Sequence, residues 1–268
     1  MPFARLLASA GLVLIVACNH ARGRTDRGAV HQLDQATQYL PTPDTLRYKW
    51  HVSFWIYYVR GRDTLGQPDT FRGRESRYFR AAPGGLEARI RLEPESGDSV
   101  LEDNILTVDP SGRVLLINGR LPSETGDLSV DRLPRLPSPL VPLAPGLEWT
   151  DTVSVAARQP WGPTYLEVRR RYHVVRLVDS LGTRVAVIAG EGEMRLRRGA
   201  WHDSTKGWVW WQEVAGPVQD TTYFDERGGQ IVGSFDVGEL LGTGAVGPIG
   251  SGIVPSALRF TNRLTRVQ

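Results

Sequence analysis

The chain has 268 residues and a net charge of +3, from 32 basic and 29 acidic side chains. That length suits one large β domain or two small ones, and so small a net charge argues against nucleic acid as a partner despite the basic isoelectric point. Lysine is confined to Lys49 and Lys206, so the arginine excess reads as codon bias in a GC-rich genome and not as a selected basic patch.

The amino-terminal stretch reads as an export signal. Arg5 and the terminal amine supply positive charge, Leu6 to Ala17 is apolar apart from Ser9, and small Ala17 precedes Cys18, the only cysteine. A buried core helix would carry polar positions at helical spacing, whereas a charged start, a short apolar run and a small-residue end are the parts of a secretory signal. The residues Ile15-Val16-Ala17-Cys18 resemble the lipobox of bacterial lipoproteins. That resemblance implies a signal peptide over 1–17 and a diacylglyceryl group on the Cys18 sulfur. Two or three acyl chains would give stable attachment where one holds only marginally. Asn19, in place of aspartate, implies by the same resemblance the periplasmic face of the outer membrane. No later apolar run is long enough for a membrane-spanning helix, so the membrane is expected as a partner only through Cys18.

Residues 18–43 read as a polar tether, with a short helix over Val30 to Leu40. About 25 flexible residues span roughly 25–30 Å, enough to hold a domain clear of a membrane. Residues 44–268 read as a single β domain with halves at 44–132 and 145–268.

In the first half, Trp50, Val52, Phe54, Ile56 and Tyr58 alternate with His51, Ser53, Trp55 and Tyr57, the period-two pattern of a half-buried strand. Leu86, Ala88, Ile90 and Leu92 alternate with charged residues in the same way. Two turn phrases, Val108-Asp109-Pro110-Ser111-Gly112 and Phe224-Asp225-Glu226-Arg227-Gly228, place an aspartate that opens the turn ahead of glycine that can take positive φ. They are either two ordinary hairpins or the trace of a weak internal duplication.

Pro134, Pro137, Pro139, Pro142 and Pro145 exclude helix and central strand between 133 and 145. Leu133, Leu136, Leu140, Val141 and Leu143 stand among them, so the segment is expected to pack as an extended strap over a sheet. Pro145-Gly146-Leu147-Glu148-Trp149 then resembles a strand-entry phrase of uncharacterised β-rich bacterial lipoproteins, which implies no activity.

The second half continues the alternation. Leu166, Val168, Tyr172, Val174 and Val178 share a parity opposite Glu167, Arg169, Arg171 and His173. Strand alternation splits the run Arg169-Arg170-Arg171 between two faces, which suits a solvated face better than a phosphate track. Further strands are read at 184–197, 207–214, 221–224, 231–237 and 256–267. Gly238 to Gly252 reads as an irregular loop, either a packed crossing or a lid over an apolar cavity. Within it, Leu240-Leu241-Gly242-Thr243-Gly244-Ala245 resembles the strand-turn of retroviral-type aspartic proteases, but Gly242 stands where the catalytic aspartate belongs, so no activity follows.

Catalytic signatures are missing: there is no Gly-x-Ser-x-Gly elbow and no His-Glu-x-x-His. No cofactor and no metal site is expected. His51 and His173 could hold a metal only if they met across the sheet, and no ligand spacing supports it. Trp201, Trp208, Trp210 and Trp211 form the densest aromatic cluster. On a strand, Trp208 and Trp210 face one way and Trp211 the other, so one face offers indole to a ligand, a partner or the strap.

The expected fold is therefore all-β, a curved antiparallel sheet or incomplete β-barrel made of two meanders with the proline strap between them. That architecture resembles the LolA and LolB lipoprotein carriers, whose open barrels hold acyl chains. The expected function is a non-catalytic, outer-membrane-anchored lipoprotein that binds an apolar, lipid-like ligand or an envelope protein. The candidate ligand-binding residues are Trp50, Phe54, Trp208, Trp210 and Trp211. The alternative is a structural or assembly lipoprotein with no ligand cavity.

Overall fold

Every strand pairs antiparallel with its neighbours, and a glycine in the positive-φ region stands directly before four of them, at Gly84, Gly182, Gly207 and Gly229. The structure, a computed structural model, describes residues 36–267 apart from 61–62, 97–98, 126, 160–161, 181, 204–206 and 249. The strands are β1 Leu46–Arg60, β2 Asp63–Ala82, β3 Gly85–Pro94, β4 Glu102–Val108, β5 Val114–Ile117, β6 Glu148–Gln159, β7 Gly162–Ser180, β8 Thr183–Asp203, β9 Trp208–Asp225, β10 Gln230–Pro248 and β11 Val254–Val267. They form one sheet in the order β5-β4-β3-β2-β1-β11-β10-β9-β8-β7-β6. Two meanders, β1–β5 and β6–β11, thus advance in the same direction across the sheet, the first from the seam to one edge and the second from the other edge to the seam, where β1 pairs with β11.

Long twisted strands in such a sheet coil, and the result is an antiparallel half-barrel whose edge strands β5 and β6 do not pair. Alternation assigns one parity of each strand to the concave side. Leu86, Ala88, Ile90 and Leu92 of β3 are buried, as are Leu166, Val168, Tyr172 and Val174 of β7 and Val214, Val218 and Phe224 of β9. Burial of each of the leucine, isoleucine, valine and phenylalanine side chains among them contributes about 1.5–3 kcal/mol.

The topology dictates the strap. Residues 118–147 join β5 to β6, the two opposite edges of an open sheet, and the chain between them packs on the concave side. It carries a short helix, α1 Pro122–Thr125, a 3-10 turn Leu128–Asp131 and the proline segment. Val130, Leu133, Leu136 and Leu143 belong to the same core as β3, β4, β6 and β7. Trp149 Nε1 donates to Arg135 O at 3.0 Å, and Leu136 N donates to Ser111 O at 2.9 Å, which fixes the strap at both meanders.

Three expectations need correction. Residues 36–43 are not the end of a tether, because Tyr39 is buried between Phe79 and Phe224, and its hydroxyl donates to Pro134 O. The helix expected over 30–40 is absent from 36–40, its described part, where Tyr39 N and Leu40 N instead donate to Pro110 O and Gly229 O. These two carbonyls belong to the two aspartate turns. Asp109 Oδ1 accepts from Ser111 N and Arg113 N, and Asp225 Oδ1 from Arg227 N and Gly228 N; positive φ falls on Gly112 and Gly229.

The third correction concerns Gly238 to Gly252, read as a loop. Its first part is the continuation of β10 to Pro248. Its glycines serve close strand approach: a Cβ on Gly242 would lie 2.1 Å from Glu213 O.

Candidate functional site

A cavity of about 490 Å³ lies on the concave side, between the sheet and residues 127–134 of the strap. Its middle is apolar, with Val52 and Phe54 from β1, Met194 and Leu196 from β8, and Leu258 and Phe260 from β11. Its size falls in the range of small-molecule sites. The pairing of β1 with β11 makes this floor, since Phe54 stands opposite Phe260 and Ile56 opposite Leu258.

One end of the cavity carries a polar row that crosses the strands. Trp50 Nε1 donates to Asn262 Oδ1 at 3.0 Å, and Asn262 Nδ2 donates to Asp236 Oδ2 at 2.7 Å. Asp236 of β10 stands opposite Asp220 of β9. Asp220 lies 3.1 Å from Arg170 Nε, and Arg170 forks onto Asp131 of the strap at 2.6 and 2.9 Å. Gly190 of β8 makes room for this row, because a Cβ there would lie 2.4 Å from Asp220 Oδ2.

Electrostatics set two of these carboxyls apart. Burial pushes Asp220 up to about 7, against the pull of Arg170 and with a further push from Asp236. Burial likewise raises Asp236 to about 6, with Arg170 and the Asn262 hydrogen bond opposing it. Asp220 Oδ1 has no hydrogen-bond partner. The pair can hold a proton near neutrality or accept from a ligand donor.

Two further ion pairs close the cavity's polar margin. Glu75 pairs with Arg77, whose guanidinium lies over the Tyr48 ring, and Glu102 pairs with Arg132 of the strap. Asp127 caps the 3-10 turn by accepting from Ser129 N at 2.8 Å, and Asn104 Nδ2 donates to it at 3.1 Å. Charge therefore docks the strap onto β4 and β7, while leucines fill the space below it.

Of the residues singled out in the sequence, Trp50 and Phe54 line the cavity together, and Trp210 and Trp211 are not among its lining. Trp210 shares the concave parity of Gln212 and Val214, and Arg198 stacks on its ring at 5.6 Å. Trp211 has the opposite parity and takes Arg197 at 5.7 Å. Cys18 and the Trp208 side chain lie outside the described residues.

His51 and His173, which could hold a metal only if they met, sit on β1 and β7, with β11, β10, β9 and β8 between them. Among the described residues no group of three histidine, cysteine, aspartate or glutamate side chains is placed to hold a metal ion.

The residues that sequence reasoning missed are Arg170, Asp220, Asp236, Asn262 and Arg198. Arg170 between Val168 and Tyr172, Arg198 between Leu196 and Ala200, and Asn262 between Phe260 and Leu264 are polar residues at a parity otherwise filled by apolar ones, whereas Asp220 and Asp236 have Thr222 and Ser234 beside them on their parity. For the first three, that conflict was the available signal.

No protein-family model matches this sequence, and no curated protein sequence matches it.

Proposed function

We propose that this protein is a non-catalytic, outer-membrane-anchored lipoprotein that binds an apolar, lipid-like ligand in its concave trough. The observation that carries the reading is the 490 Å³ cavity with Val52, Phe54, Met194, Leu196, Leu258 and Phe260 along its length. Apolar side chains left facing open space in a fold that buries so many others are worth retaining when something covers them. The lipobox-like residues Ile15 to Cys18 support an envelope address and an acyl anchor.

Native mass spectrometry of the full-length protein, purified under mild conditions from bacterial envelopes, tests the reading. A reproducible adduct of lipid mass is expected, and Phe260→Arg, which puts a charge in the trough floor, should remove it. A clean mass for the unaltered protein overturns ligand binding and favours an assembly role. The anchor has its own check: a fatty-acid label should mark the protein and leave Cys18→Ser unmarked, and labelling of the variant would refute lipidation.

A further inference from the structure

Four arginines line the cavity, and three of them have carboxylate partners. Arg77 has Glu75, Arg132 has Glu102, and Arg170 has Asp131 and Asp220. Arg198, on β8, has none among the described residues. Its Nε is buried and makes no hydrogen bond. Its described neighbours are the Trp210 ring, on which it stacks, and Tyr58. A ring face attracts a cation but leaves its N–H donors unanswered. Gln212, opposite on β9, holds a neutral buried Oε1 without a donor, which can answer one N–H but not the charge.

Arginine does not escape burial by losing its proton. Arg198 is half-buried with its Nε out of water, and withdrawing even part of a guanidinium without an anion is costly; the other arginines of the cavity show the usual remedy. Burial also pulls Arg198 below the usual arginine range, with only Tyr58 opposing it among the described residues.

The position of Arg198 matters as much as its isolation. It stands opposite Gln212, whereas Gly190 of the same strand stands opposite Asp220. Eight residues of strand, roughly 25 Å at the usual rise, separate Arg198 from the aspartate row. Between the two ends the concave lining is Met194 and Leu196 on β8 and Phe260 and Leu258 on β11. The trough is thus long and apolar, with a cation at one end that has no carboxylate partner among the described residues.

We propose that Arg198 receives the acidic head group of a single-chain anionic amphiphile, whose tail lies along Leu196, Met194, Leu258, Phe260 and Phe54. This rests on the trough being a lipid-like site, and adds the sign of the head group and the end at which it docks. The shared chemistry is an oxyanion, a carboxylate or a phosphate ester, presented to an arginine fork. Trp210 holds the guanidinium plane, so it is a positioning residue for the head group.

Full-length protein in neutral-lipid nanodiscs, exposed to laurate or to dodecanol each bearing a diazirine, tests this. The labelled fraction is read by intact mass, with unlabelled laurate as competitor. Laurate should label at concentrations at least about tenfold lower than dodecanol, the effect of one charge-assisted contact. Arg198→Gln should bring the two probes together and leave dodecanol labelling unchanged, which also certifies that the variant is folded. Arg198→Lys should keep part of the preference. An adipate competitor, with acid groups but no long tail, should not displace laurate; displacement would mean an anion site independent of the trough. Equal labelling by both probes, or a laurate preference that survives Arg198→Gln, overturns the head-group assignment while leaving the apolar site standing. Labelling by neither probe overturns both.

Discussion

Three consecutive arginines allow the concave and convex faces to be told apart by stability. The Arg170 side chain is 12% exposed and shared between Asp131 and Asp220, whereas Arg171 is 59% exposed and pairs with an exposed Glu148. Arg170→Met removes the cation and leaves two largely buried carboxylates. Breaking a buried pair from one side costs about 3–5 kcal/mol, a large share of the 5–15 kcal/mol that typically holds a domain together. Arg171→Met should produce no measurable loss, because an exposed pair is screened by solvent.

The same substitution should steepen the pH dependence. A carboxyl whose folded pKa lies above its unfolded value contributes stability that is fully present below the unfolded value and lost as pH rises through the folded one. Asp220 is raised from 3.8 to about 7 with Arg170 present, and Arg170 opposes that rise. Without Arg170 its pKa goes higher, so the loss extends to higher pH and grows. Urea denaturation of the two variants and the unaltered protein, at about pH 5 and about pH 8, measures this. Arg170→Met should lose most at the higher pH and recover part of the loss at the lower. Equal midpoints for Arg170→Met and Arg171→Met at the higher pH, or a loss at Arg170 that does not shrink on acidification, would refute the reasoning.

Two more outcomes are expected from denaturation curves. Gly190→Ala forces the Asp220 carboxylate away from the Cβ and should cost about 1–3 kcal/mol, an overpacking loss, and an unchanged midpoint would mean that the aspartate moves freely. Tyr39→Phe gives up only the bond to Pro134 O and should cost about 1 kcal/mol, whereas Tyr39→Ala also opens a cavity between Phe79 and Phe224 and should cost about 3–5 kcal/mol; near-equal losses would show that residues 36–43 are not part of the fold's core.

Much of the architecture was legible because alternation is a local property. The parity of Trp50 to Tyr58, of Leu86 to Leu92 and of Leu166 to Val174 decides which side of a strand is dry, and proline spacing decides that residues 133–145 are neither helix nor strand. The β1–β11 pairing was not legible, because periodicity carries no information about which strand lies beside which. The length of β10 was hidden by Gly242 and Gly244, which look like loop punctuation until Glu213 and Trp211 of the neighbouring strand are seen to need the space. Arg170 was placed by parity on the dry side of its strand but weighed as one of a basic run. Its real determinant, Asp131 on the strap, is 39 residues away and invisible to any local window.

The pairing of β11, the last strand to be made, with β1, the first, has a consequence for folding. Trp50 and Asn262, which bond across that seam, are 212 positions apart. Contacts so distant in sequence require a large loop-closure entropy before they return anything, and such topologies fold slowly. Until β11 arrives, β1 presents an unpaired edge and Phe54 an uncovered ring, both hazards for aggregation. The seam that lays Phe54 opposite Phe260 on the cavity floor is therefore also the last part of the sheet that can close.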